Sequence, residues 1–274
     1  MQKNLVLIDR QERFSRTLLD EFSYALERTS QQDLKEWGKQ SAQLFKRSAA
    51  RRGKNFLKGV KKAGIFVVKE SFSLINATRT HTMEDYAKTR ANAIKSTIHQ
   101  GFAFTKQNIT LMAMAVKNDP KNNAPLLLSS LLGFMFGSGG LDGDGGVPDI
   151  DFAFGPGHHR SIWTHSVFSA MVIETAVFSI VELVKVIHTK LPEPHHPFWD
   201  KLMDKQKQFA QAFANGASLG IAYHLMVDMN LLSAHTKPYV DLPFSTTMQG
   251  HQTIMGANAA TELADLKERK KSKK

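Results

Sequence analysis

Trp163-Thr-His-Ser-Val-Phe-Ser-Ala-Met-Val-Ile-Glu-Thr-Ala-Val-Phe-Ser-Ile-Val-Glu-Leu-Val-Lys-Val-Ile187 is the stretch on which the fold turns. It is long and apolar enough to be weighed as a bilayer span, which needs about 20 residues. His165, Glu174, Glu182 and Lys185 interrupt it, and each ionisable group at bilayer depth costs at least about 2.5 kcal/mol on insertion scales. Glu174 and Glu182 stand about two helical turns apart, roughly on one face. That spacing fits a helix packed against protein. A second apolar run, Leu126 to Phe136, is too short to span. Both runs read as buried core helices, and the predicted fold is mostly α: a helical bundle with a metal-binding loop between core helices.

Outward from that helix, the composition sets limits. The chain has 274 residues, 42% hydrophobic and 22% charged, enough for one good core and too apolar for a disordered chain. It has no cysteine, which excludes thiolate catalysis, iron–sulfur clusters, cysteine-type zinc sites and disulfides. The apolar run within Met1–Asp9 is too short for a secretory signal. The expected location is the cytoplasm or, peripherally, the inner membrane surface.

The formal charge is +11, which favours a polyanionic partner. The excess concentrates before residue 120. Its densest part is Lys46, Arg47, Arg51, Arg52, Lys54, Lys58, Lys61 and Lys62, with no acid among them. This block, 46–62, is the expected contact for nucleic acid or anionic lipid. Helix-compatible spacing runs over Phe14–Leu26, Leu34–Leu74 and Glu84–Thr110, and the breaker-rich Asn118–Pro125 marks a boundary. The expected organisation is a basic helical region over 1–120, a metal-centre helical domain over 121–256, and a basic, solvated tail over 257–274.

The chemistry concentrates upstream of the apolar helix, in Gly139-Gly-Leu-Asp142-Gly-Asp144-Gly-Gly-Val-Pro-Asp149-Ile-Asp151-Phe-Ala-Phe-Gly-Pro-Gly-His158-His159-Arg160-Ser-Ile-Trp-Thr164-His165-Ser166. Carboxylate oxygen and imidazole nitrogen are the ligands that hold zinc, manganese or iron when thiolate is lacking. Glycine and proline let the loop fold tightly enough for several of them to converge. Asp142-Gly-Asp144-Gly by itself is ordinary turn chemistry. A calcium loop counted from Asp142 fails, because Val147 stands where it needs glycine and Ala153 where it needs glutamate.

A second constellation lies in Tyr223-His224-Leu-Met-Val-Asp228. Four residues apart on a helix, His224 and Asp228 share one face. Their surroundings are almost wholly apolar, so an unpaired Asp228 costs several kcal/mol, and a metal or another cation is the usual remedy. A His–Asp hydrogen bond inside a helical core is the competing reading.

In this order, Val147-Pro-Asp149-Ile-Asp151, then Gly157-His-His159-Arg160 with Thr164-His165-Ser166, then the helical His224-x-x-x-Asp228, resemble the YdjM type of membrane-bound metal-dependent hydrolase family. The likeness covers about residues 125–235. Three residues separate Arg160 from Thr164 here, where the family pattern has two. The resemblance implies a helical fold, a metal centre and hydrolase activity.

Six candidate ligands result: Asp149, Asp151, His159, His165, His224 and Asp228. That number suits an octahedral or two-metal centre, with zinc or manganese as one or two ions. Asp149 is the expected catalytic carboxylate, and Arg160 is a candidate to clamp a phosphate bidentately. The leading expectation is a hydrolase of a phosphoester, in nucleic acid or phospholipid. The alternatives are a polyanion-binding protein with a structural metal and a membrane-surface effector.

Overall fold

A computed structural model describes residues 17–89, 92, 110–141, 145–155, 160–230 and 235–271. Among these residues there are helices and no strands. The chain order is α1 (Leu18–Glu27), α2 (Gln31–Arg79), α3 (Pro120–Ser138), a 3-10 helix (Pro148–Phe154), α4 (Val167–His188), α5 (Phe198–Asp228) and α6 (Met248–Lys271). Residues 83–89 and 110–118 are also helical. The fold is mostly α, as the apolar helices predict.

Local chemistry sets most boundaries. Thr17 and Ser30 close capping boxes with Asp20 and Asp33 at the starts of α1 and α2. Each box satisfies two backbone donors that the first turn leaves unpaired. Asp119 caps α3 with proline at the first position, and Gly139, at φ 75°, ends it in the left-handed conformation. Ser166 caps α4 by accepting from Phe168 N.

The closest helix pair is α3 on α5. A Cβ at Gly133, Gly137, Gly216 or Gly220 would collide with the backbone carbonyls of Phe213, Ala217, Ser130 and Phe134 respectively. Two glycine-x-x-x-glycine stripes therefore face each other with their backbones in contact. The core proper runs through Ala170 and Ile173 of α4, Ile221, Ala222 and Leu225 of α5, and Met255 and Ala259 of α6.

The first half of α2 belongs to this same body. It lies on α4 and α6, and Trp37 Nε1 donates to Ser179 O at 2.7 Å. At its centre the helix buries charge. Arg52 is 1% exposed and donates to Glu262 at 2.6 Å and to Glu174 at 2.5 Å. Arg51 donates to Glu174 at 2.7 Å and pairs with Asp265. Arg269 closes the cluster on Glu174 at 2.7 Å and Asp265 at 2.6 Å.

Two sequence expectations change here. Arg51 and Arg52 of the basic block serve the interior, leaving the exposed Lys46, Arg47, Lys54, Lys58, Lys61 and Lys62 as its outer face. The stretch expected as a solvated tail is helix through Lys271, and it supplies Glu262, Asp265 and Arg269 to the buried network. The first half of α2, α4 and α6 thus pack on one another. By length and composition α4 alone among the described helices passes as a membrane span, yet its Glu174 is buried against three arginines.

Candidate metal centre

The site lies where the C-termini of α3 and α5 meet the loops before α4. His224 is in the last two turns of α5, and Asp228 is its final residue. The close α3–α5 packing brings the Ser138 carbonyl to 3.3 Å from His224 Nδ1. That carbonyl accepts the Nδ1 proton and leaves the Nε2 lone pair facing inward.

The loop after α3 returns through Val147, whose N–H donates to Phe136 O at 2.9 Å, and enters the 3-10 helix. With about three residues per turn, positions 149 and 151 point in different directions. Asp149 faces the two imidazoles: its Oδ1 is 3.1 Å from His165 Nε2 and 3.7 Å from His224 Nε2, while Oδ2 accepts from Gly145 N at 2.5 Å. Asp151 lies behind His165, 3.3 Å from Nδ1. It also accepts from Ser161 N at 2.8 Å and Thr164 Oγ1 at 2.5 Å. Asp151, expected as a ligand, is therefore placed to orient one.

Asp228 completes the group, its Oδ2 lying 3.3 Å from His224 Nε2 and 3.7 Å from His165 Nε2. Around the ring of Asp149 Oδ1, His165 Nε2, Asp228 Oδ2 and His224 Nε2, neighbouring atoms thus stand 3.1–3.7 Å apart. Ligands held at roughly 2.0–2.2 Å from one ion are separated by about 2.8–3.1 Å in adjacent octahedral positions and about 3.3–3.6 Å in tetrahedral ones. Asp149, His165 and His224 offer donor atoms that all lie within 4.8 Å of one another, a group that could hold a metal, and Asp228 stands beside the two imidazoles.

Hydrogen bonding supports the fit. His224 Nε2 and both Asp228 carboxylate oxygens are buried and meet no hydrogen-bond criterion, although His224 Nε2 and Asp228 Oδ2 approach to 3.3 Å. Buried polar atoms are rarely left this way without a ligand or strain. At Nδ1, His224 meets the Ser138 carbonyl and His165 meets Thr164 Oγ1 at 3.0 Å, contacts of the kind that orient a metal-ligating histidine, while His165 Nε2 is hydrogen-bonded to Asp149 Oδ1. Burial pushes His224 towards its neutral form, but Asp228 and Asp149 outweigh it and raise its pKa. Burial likewise pushes the Asp149 carboxyl up, but His165, His224 and the Gly145 N–H hold it down at about 2. The pocket favours positive charge at its centre.

Two cations flank Asp228. Arg160 Nε is 3.9 Å from Oδ2 and buried without a hydrogen-bond partner. Arg160 also adopts φ 70°, a left-handed conformation that costs an L residue about 1 kcal/mol or more and often marks a functional position. Lys237 Nζ is 3.6 Å from Oδ1.

Sequence reasoning missed Lys237, which lies in the turn that follows His235. Lys237 N donates to Asp228 O at 2.8 Å, and Val240 N to Arg160 O at 3.3 Å. Tyr239 OH donates to His165 O at 2.6 Å. Asp241 accepts from Ser161 Oγ at 2.5 Å and Ile162 N at 2.7 Å. Burial and the nearby Asp228 and Asp241 raise the Tyr239 pKa, so its hydroxyl remains a donor. The only sequence signal was a turn-rich run following Asp228.

The structure thus gathers Asp149, His165, His224 and Asp228, with Arg160 beside them and Asp151 behind. His159, the sixth expected ligand, lies outside the described residues. Leu141, Ile150, Phe152 and Trp163 are exposed on the loops that carry these groups. Searches of protein-family models, curated proteins and solved structures find no match to this chain.

Proposed function

We propose that this chain is a metal-dependent hydrolase of a phosphoester. The observation that carries the reading is the convergence of two imidazole Nε2 atoms and two carboxylate oxygens, with both rings held from behind at Nδ1. Asp149, His165, His224 and Asp228 hold the ion. A divalent zinc or manganese there supplies a water acidic enough to act as a nucleophile near neutral pH, together with Lewis-acid stabilisation of a developing oxyanion.

The chain's own residues do the rest. The Ser138 carbonyl fixes the His224 ring at Nδ1, and Thr164, whose hydroxyl donates to Asp151, fixes the His165 ring at its Nδ1. Arg160 and Lys237 present positive charge on one side of Asp228, where an anionic phosphoryl oxygen is bound and oriented. The apolar loops carrying Ile150, Phe152 and Trp163 accommodate a substrate with a nonpolar portion, which favours phospholipid over nucleic acid. The exposed lysines of α2 recruit the polyanionic surface, and the protein works in the cytoplasm or at the inner membrane face.

The test is elemental analysis of the purified protein, followed by phosphodiester and phospholipid hydrolysis assays with the metal found. Turnover should vanish in an Asp149→Ala protein that retains its helical circular dichroism. Undiminished turnover in that variant refutes the assignment. Bound metal without turnover on any substrate makes the ion structural and the chain a polyanion-binding protein.

A further inference from the structure

The opposite end of α4 carries a second convergence that the proposed hydrolase does not use. His188 is the last residue of α4, His195 lies in the loop Leu191-Pro-Glu-Pro-His-His-Pro197, and Asp200 is in the first turn of α5. His188 Nε2 stands 3.0 Å and His195 Nε2 3.1 Å from the same oxygen, Asp200 Oδ1. One nitrogen from each ring and a carboxylate oxygen all lie within 4.8 Å of one another. The rings meet edge to face with centroids 5.2 Å apart.

We infer that His188, His195 and Asp200 form a second transition-metal site, one that clips α4 to α5. The end of α4, the loop that follows it and the first turn of α5 each bring one donor atom to a common point. Their 3.0–3.1 Å spacings already match the ligand separations of an ion with bonds of about 2.0–2.2 Å. Two imidazoles and one carboxylate select zinc, copper, nickel or cobalt over calcium or magnesium, which prefer all-oxygen shells. His195 Nδ1 is buried and has no hydrogen-bond partner, so the existing hydrogen bonds leave that ring incompletely satisfied. Asp200 is mostly exposed, which leaves the remaining coordination positions to water.

The clip sits beside the dock for α1. The residues next to two of its ligands, His196 and Trp199, both donate to the buried Glu21 carboxylate: His196 N at 2.9 Å and Trp199 Nε1 at 2.8 Å. Phe22 of α1 stacks on Trp199 with ring centroids 6.3 Å apart. A metal fixing positions 195 and 200 therefore also fixes the groups that hold α1.

The experiment titrates the full-length, chelator-treated protein with zinc by calorimetry, and with copper by tryptophan fluorescence, since Trp199 adjoins Asp200. His195→Ala and Asp200→Asn each replace a group at the periphery and are checked for unchanged helical circular dichroism. Each should remove one zinc equivalent, or weaken that equivalent at least about tenfold, and should abolish most copper quenching, as Trp199→Phe does. Zinc stoichiometry and copper quenching that survive in both ligand variants overturn the inference. The two metal readings separate cleanly. Loss of the hydrolase centre in Asp149→Ala leaves the clip's equivalent in place, whereas failure of the clip leaves the His195→Ala stoichiometry equal to wild type.

Discussion

Two buried polar clusters share this bundle, and they are built on opposite principles. In the network of Arg51, Arg52 and Arg269 with Glu174, Glu262 and Asp265, three cations meet three carboxylates. The main contacts are charge-assisted hydrogen bonds such as Arg52 to Glu262 at 2.6 Å and Arg269 to Glu174 at 2.7 Å. At the centre formed by Asp149, His165, His224 and Asp228, the nearest cationic side chains stop 3.6 and 3.9 Å short of Asp228, whose oxygens accept no hydrogen bond. A closed network holds helices together. An open one leaves donor atoms for something else.

The largest expected effect falls on the closed cluster. Removing one partner strands a buried charge, which costs about 3–5 kcal/mol. Arg52→Ala should lower unfolding stability by that amount in denaturant melts, and a loss below about 1 kcal/mol would erase the contrast between the clusters.

The same cluster has a pH signature. Burial pushes Glu174 up, but Arg269, Arg52 and Arg51 outweigh it and hold its carboxyl at about 2, against 4.5 for the ordinary group. A depressed carboxyl contributes stability that is fully present above its unfolded pKa and disappears as pH falls through the folded one. Stability should therefore fall from pH 4.5 towards 2. Glu174→Gln should flatten that slope, leaving the shares of the other lowered carboxyls, Asp149 and Asp33 among them, both held at about 2. An unaltered slope in melts across this window would show Glu174 to be ordinary in the folded chain.

Next in size is the α3–α5 contact. Gly216→Val places side-chain atoms against the Ser130 carbonyl, and forcing the helices apart should cost about 1–3 kcal/mol. Because α3 carries the carbonyl that fixes His224, this variant should also lose metal affinity. A stability loss with full metal affinity would uncouple helix packing from the centre. Asp151→Asn leaves all four ligands in place and should weaken metal binding by about 10–100-fold, measured by chelator competition.

The smallest effect on stability belongs to the outer lysines. Reversing Lys54, Lys61 and Lys62 to glutamate should change stability little, about 0.5 kcal/mol or less per site, whereas Lys58 is paired with Glu268 at 2.9 Å and is left in place. Binding to anionic vesicles or duplex DNA should nevertheless weaken. On DNA the slope of log affinity against log salt should flatten by about 0.9 for each phosphate that is no longer neutralised. Binding unchanged on both makes these lysines a solvated helix face.

The sequence made local relations legible and left distant ones hidden. His224 and Asp228 were readable as a pair because four residues is about one helical turn, and α4 was readable as a core helix because its acids interrupt it. Arg52 looked like part of a polyanion-binding face because a charge run says nothing of partners 122 and 210 residues away. The region 257–271 looked like a loose tail for the same reason, since its acids have meaning only against α2 and α4. Asp151 was grouped with the ligands because residue type alone does not tell which way a 3-10 turn points a side chain. Lys237 and the Ser138 carbonyl were invisible: one sits in a turn-rich run, and the other is backbone.

The central claim is that an ion completes the surroundings of the buried Asp228 carboxylate at the end of α5. The most direct measurement is the melting temperature of wild-type and Asp228→Asn protein, each with and without chelator, alongside metal content. An ion at about 100 times its dissociation constant stabilises the fold by about 2.7 kcal/mol. Chelation should therefore lower the wild-type midpoint by several degrees, while Asp228→Asn should show reduced occupancy and a much smaller shift. Full occupancy and full chelator sensitivity in Asp228→Asn would remove α5 from the site and contradict the account.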